Sequence, residues 1–152
     1  MSMTEVLYRD ATPADAPACA DLLQDWLEAT DWMPDLHGRD ATHGWVTGHL
    51  FPSTQVIVAQ GQAGLVGFVA VDADGQVLQL QVAEGARGQR VGHRLLALAR
   101  VRSTAGLSLW CFAANGAALR FYAREGFREA ARTEGGNAEG LPDIHLVQEQ
   151  AA

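Results

Sequence analysis

"ARGQRVGHRLLALAR", residues 86–100, gathers four arginines and two glycines where an apparent strand, "QVLQLQV" (76–82), gives way to an apparent helix. Val91, Leu95, Leu98 and Ala99 recur on one helical face, with Arg90, Arg94 and Arg100 largely elsewhere. A strand ending at Val82, a short connection and a helix starting near Gly88 would point several backbone N–H groups at one spot. The positive helix end reinforces them, so a phosphate or pyrophosphate would be held there. Gly88 and Gly92 permit close approach, and Arg87, Arg90 and Arg94 could add charge-assisted hydrogen bonds. A solvated helix behind a glycine turn would use the same residues, so this stretch alone leaves both readings open.

Near the N-terminus, "VLYRD" (6–10) reads as an opening strand. Thr12-Pro13 with Asp15 is a helix start, and that helix runs to about Glu28 with Ala18, Leu22 and Leu23 among its buried positions. "ATDWMPDLHGRD" (29–40) breaks the periodicity as a loop, and a second helix covers about Asp40 to Leu50. "QVIVAQ" (55–60) and "GLVGFVAVD" (64–72) are strands joined by a turn, and "DADG" (72–75) is a hairpin signal leading into 76–82. "LSLWCF" (107–112) is a short buried strand. "NGAALRFYAREG" (115–126) is a helix ended by Gly126, and "FREAART" and "DIHLVQ" form a closing antiparallel pair across "EGGNAEGLP". The order is that of a mixed α/β protein forming a single domain over residues 1–152.

Composition removes several function classes. The net charge of −7 divides into −10 over residues 1–86 and +3 over 87–152. A nucleic-acid binder needs a broad basic face, which this acidic chain lacks. All eleven basic side chains are arginine. Without lysine there is neither a standard P-loop nor a Schiff base. Cys19 and Cys111 lack metal-ligand spacing and suggest neither a disulfide framework nor a zinc site. No apolar run approaches the roughly 20 residues of a membrane helix, and the N-terminus lacks a signal-peptide pattern, so a cytoplasmic location is expected.

The segment "NGAALRFYAREGF" (115–127) sets Asn115 at a helix N-terminus just past a strand, with Tyr122 two helical turns along on the same face. In isolation the pair reads equally well as a cap and a core aromatic. Taken together and in this order, the two segments resemble the GCN5-related N-acetyltransferase (GNAT) superfamily. Its Gln/Arg-x-x-Gly-x-Gly/Ala motif corresponds to Arg87, Gly88, Gln89, Arg90, Val91 and Gly92, with Arg90 where the first motif glycine usually stands. The later pattern corresponds to Asn115, Ala118, Phe121, Tyr122, Gly126 and Phe127.

The resemblance implies a mixed, mostly antiparallel central sheet of six to seven strands with about four helices, whose central strands splay into a V-shaped gap. It implies acetyl-CoA as cosubstrate. Main-chain groups of Leu80, Gln81 and Val82 would pair with the pantetheine arm, and the thioester carbonyl would be polarised near Val82. Amides from Gly88 to His93 would hold the pyrophosphate, Asn115 would bond the pantetheine, and Tyr122 would protonate the departing thiolate as general acid. The expected activity is acetyl transfer to a primary amine of a small, cationic or peptide acceptor. The alternative is a CoA-binding regulatory module without turnover, and a third reading makes Trp26, Trp32 and Trp45 a docking surface. Some members carry a Glu acting as general base five residues before the conserved Asn, and here that position is Trp110. Glu84, His37, Glu139 and His145 remain as candidate bases, directly or through water, and the sequence singles out none of them. Trp32, Met33 and His37 fall in the region that caps the acceptor site in this family. The acidic excess before residue 87 favours a cationic acceptor. Dimers are common in the family, and the sequence leaves the oligomeric state open.

Overall fold

β1 (Leu7–Asp10), β2 (Gln55–Gly61), β3 (Gly64–Val71) and β4 (Val77–Val82) form an antiparallel sheet in that order, in a computed structural model that describes residues 5–34, 38–103 and 105–148. A second antiparallel sheet has the order β5 (Leu107–Phe112), β7 (Asp143–Gln148), β6 (Arg128–Arg132). The chain's last strand therefore inserts between β5 and β6. The two sheets meet at one point. β4 and β5 run parallel, touch through a bridge between Gln76 and Ser108, and then diverge. At that vertex the Ser108 N–H donates to the Gly75 carbonyl at 2.9 Å. Seven strands, within the expected six to seven, and the central splay are present.

The hairpin before the vertex is built locally. The Asp72 carboxylate accepts from the N–H groups of Asp74 and Gln76, both at 2.9 Å, and Gly75 supplies a positive φ of 85°. On β3 and β4, Val71 faces Val77 while Ala70 faces Gln79, so Leu78 is an unopposed bulge residue. This extra residue resets the alternation along β4.

α1 (Ala16–Ala29) follows a short 3-10 turn, Pro13–Asp15. α2 (Arg39–Trp45) continues through a π-helical turn, Val46–Leu50, into α3 (Phe51–Ser53). These pack on one face of the sheets with Val58, Phe68 and Ala70. α4 (Val91–Arg102) and α5 (Gly116–Arg124) pack on the other face with Val69, Leu107, Leu109 and Cys111. Each large apolar side chain fully buried in either layer contributes about 1.5–3 kcal/mol. In α1 the buried face is Ala16, Cys19, Ala20, Leu23 and Gln24, leaving Ala18 and Leu22 half-buried. In α4 it is Val91, Leu95, Leu96 and Ala99, with Leu98 half-buried. No helix among the described residues is long and apolar enough to cross a membrane.

Candidate active site

The divergence of β4 and β5 opens a cleft of about 540 Å³. Its walls are Val77–Gln81 of β4 and Leu109–Phe112 of β5; Asn115, Ala118 and Tyr122 of the α5 segment close one side, and α1 and α2 residues close the other. The ladder register shows which main-chain groups face the gap. Ala83 N–H donates directly across to the Val66 carbonyl at 2.8 Å, so Ala83 and Val66 are a hydrogen-bonded pair. Antiparallel pairing alternates every residue, so Gln81 and Gln79 also bond towards β3, while Leu80 and Val82 turn their N–H and C=O groups away from it. Of the three residues expected to offer main-chain groups here, Gln81 instead spends its backbone on Phe68 and contributes only its side chain. The Val82 carbonyl accepts from the Arg87 guanidinium at 3.3 Å.

The connection from β4 to α4 differs from expectation. A 3-10 turn, Glu84–Ala86, comes first, and α4 begins at Val91 rather than near Gly88. Gly88 (φ 83°) and Arg90 (φ 65°) both hold left-handed conformations, which delays the helix by three residues. Arg90 is the one non-glycine residue with positive φ among the described residues. This result explains the conflict in the motif: the position calls for a left-handed backbone, and arginine adopts it at a cost. Arg90→Gly is therefore expected to raise stability by about 0.5–1 kcal/mol in chemical denaturation. An unchanged or lower midpoint would show that the guanidinium's own contacts outweigh the backbone strain.

Among the described residues, no backbone N–H from Gly88 to His93 donates to a protein acceptor. The next amide, Arg94, closes the first helical turn onto Arg90 at 3.0 Å, and the Arg87 amide is taken by Glu84 at 3.3 Å. Six consecutive donors therefore remain, on a loop and the first turn of a twelve-residue helix. This is the arrangement that binds phosphates. Gly88 has open space where a side chain would stand, whereas a Cβ on Gly92 would lie 3.2 Å from the Phe121 ring. Gly92 thus lets α4 lean on α5. The His93 ring is held by Glu125 at 2.8 Å, a second tie between these helices.

Asn115 does two things. Its side-chain oxygen caps α5 by accepting from Ala118 N–H at 3.1 Å, and its amide NH2, unpaired among the described residues, stands at the cleft. Tyr122 packs edge-on between Phe121 and Phe127, its hydroxyl unpaired among the described residues, and lines the cleft. Burial pushes its pKa well above the usual phenol value, with Cys111 adding to the rise. Cys111 is likewise pushed up by burial, to about 11, and stays a neutral thiol.

On the opposite side, Met33 and Pro34 line the cleft. Trp32 stands one layer behind, edge-on to both Trp26 and Phe112, which do line it. His37 lies outside the described residues. Of the candidate bases, Glu139 lines the cleft, and Glu84 sits in the 3-10 turn after β4. His145 stacks on Trp110 at 4.7 Å between ring centroids, as its cross-strand partner. Sequence reasoning missed Gln79, Thr42 and Leu23 as cleft residues. The bulge at Leu78 and the packing of α2 on α1 place them, and neither leaves a local sequence signal.

The sequence model of the acetyltransferase (GNAT) domain matches residues 52–129, which include β4, the amide-rich turn and α5. Among solved structures, apo YjaB from Escherichia coli superposes with a TM-score of 0.78 at 21% identity, covering 97% of this chain and 99% of that one. The ribosomal-protein-alanine N-acetyltransferase of Brucella melitensis gives 0.73 at 25% identity, covering 94% and 99%. Nourseothricin acetyltransferase gives 0.70 at 22%, covering 96% and 99%. No curated protein sequence matches significantly. With the family's sequence model matching half its length, the chain belongs to the GNAT acetyltransferase family.

Proposed function

We propose that the protein transfers an acetyl group from acetyl-CoA to a primary amine by direct attack. The observation that carries this reading is the run of unpaired amides from Gly88 to His93, which follows the edge of β4 where Leu80 and the Val82 N–H turn away from β3. A diphosphate fits the first feature and an amide-bearing pantetheine arm the second. Acetyl-CoA supplies the thioester carbonyl and the thiolate leaving group.

The chain's own residues then have distinct tasks. The Gly88–His93 amides hold the diphosphate, aided by the guanidinium of Arg90; those of Arg87 and Arg94 are engaged by the Val82 carbonyl and the Tyr8 ring. Leu80 and Val82 align the arm as an added strand, with the Val82 N–H turned towards the reacting carbonyl, and Asn115 donates its free amide. Tyr122 gives its proton to the sulfur as the carbon–sulfur bond breaks, and the attacking amine gives up a proton on the acceptor side. Glu139, directly or through water, is the cleft carboxylate able to receive it.

Calorimetry with acetyl-CoA, followed by thiol release in the presence of amines, tests the proposal. One-to-one binding with amine-dependent thiol release is expected. Absence of binding would end the reading, and binding without release for any amine would favour a regulatory CoA-binding module.

A further inference from the structure

We infer that the acceptor is a monoamine whose single ammonium is carried on a flat apolar body, an arylalkylamine, and that Glu139 holds the ammonium. This rests on the acetyl-transfer reading above. Four aromatic residues, Trp26, Trp45, Trp110 and Phe112, line the cleft. Among the described residues lining the cleft, Glu139 alone carries a formal charge.

Among the described residues of the N-terminal half, three carboxylates are held on the outer surface of α1, away from the cleft lining. On α1, Asp21, Asp25 and Glu28 are engaged by Arg39 at 2.9–3.3 Å, and Asp21 also by His43 at 2.8 Å. These pairs are well exposed and lie on the helix's outer surface. A polyamine or amino-sugar entering the cleft would bring several cations to one carboxylate, leaving the rest without a charged partner in the lining. A peptide would need main-chain partners, and with the β4 edge assigned to the pantetheine arm only the short facing edge of β5 around Trp110 is left to it. A single ammonium on an aromatic frame leaves nothing unmatched: the ring stacks on the walls and the charge meets Glu139.

Glu139 is presented for this purpose by a closed turn. The Asn137 side chain donates to the Leu141 carbonyl at 2.7 Å and accepts from its N–H at 3.2 Å, while Gly140 N–H bonds back to the Asn137 carbonyl at 3.1 Å. The Glu139 carboxylate itself has no hydrogen-bond or ion-pair partner among the described residues, and its residue is half-buried.

The experiment compares kcat/KM for 2-phenylethylamine and tryptamine with that for spermidine and for a short peptide with a free N-terminus, in wild type and in Glu139→Gln. Calorimetry with acetyl-CoA runs in parallel. The arylalkylamines should exceed spermidine and the peptide by at least tenfold. Glu139→Gln should raise KM for 2-phenylethylamine about tenfold while leaving acetyl-CoA affinity unchanged, and Trp110→Ala should raise the same KM. Preference for spermidine or the peptide would overturn this assignment yet leave acetyl transfer standing. An unchanged KM in Glu139→Gln would overturn it equally. No thiol release with any amine would remove both it and the reading beneath it.

Discussion

Tyr122→Phe should lower kcat about a hundredfold while leaving acetyl-CoA affinity and folding stability essentially unchanged. The substitution removes one oxygen from a ring that keeps its edge contacts with Phe121 and Phe127. No protein hydrogen bond goes with it among the described residues, so no buried partner is orphaned. General-acid assistance is ordinarily worth about 10²–10⁴ in rate. The low end applies here because burial, and secondarily Cys111, raises the phenol's pKa, making it a weaker acid towards a thiolate. The same shift keeps the hydroxyl protonated throughout the working range. Its ionised form appears only above its raised pKa, so kcat should show no alkaline fall through pH 10 that Tyr122→Phe abolishes. A kcat unchanged by the substitution would remove Tyr122 from the chemistry, and an alkaline limb lost only in the variant would contradict its burial.

How much of this site was legible beforehand depends on how local each feature is. The end of β4 at Val82, the α5 start at Asn115 and its stop at Gly126 follow from residues within one turn of each event. The start of α4 does not. It hinges on two left-handed residues, and only Gly88 advertises that conformation, since Arg90 is a poor sequence marker for it. The cleft lining is less legible still. β4 reads as simple alternation, but the unopposed Leu78 places Val77 with the α4 layer and Leu78 with the α1 layer. Gln79 and Gln81 then lie opposite Ala70 and Phe68, on the α1 face, where Gln81 donates to Gln79 at 3.2 Å. Met33 and Trp32 are adjacent in sequence, yet Met33 lines the cleft while Trp32 backs its wall through Trp26 and Phe112. Tertiary packing makes that division, and periodicity carries no trace of it.

Gly75→Ala should cost about 3 kcal/mol or more and weaken acetyl-CoA binding together with stability. Two independent penalties meet at this residue. Its φ of 85° is left-handed, which costs an alanine about 1–2 kcal/mol. An added Cβ would also lie 2.4 Å from the Gly106 carbonyl oxygen and 2.7 Å from the Ser103 hydroxyl. Those two atoms are bonded to each other at 2.6 Å, and one is backbone, so neither can turn away freely. Overpacking of this kind adds about 1–3 kcal/mol. The consequence reaches the cleft because Gly75 is the vertex: its carbonyl accepts from Ser108 N–H, the hydrogen bond that brings β4 alongside β5 before they part. Moving it changes the angle at which the two walls diverge. Gly44→Ala gives the contrast in chemical denaturation. That glycine lies in α2 with an ordinary φ and nothing within 4 Å of the added Cβ, so alanine should stabilise by up to about 1 kcal/mol. If both variants instead behaved alike, the vertex would not be the point that fixes the opening of the cleft.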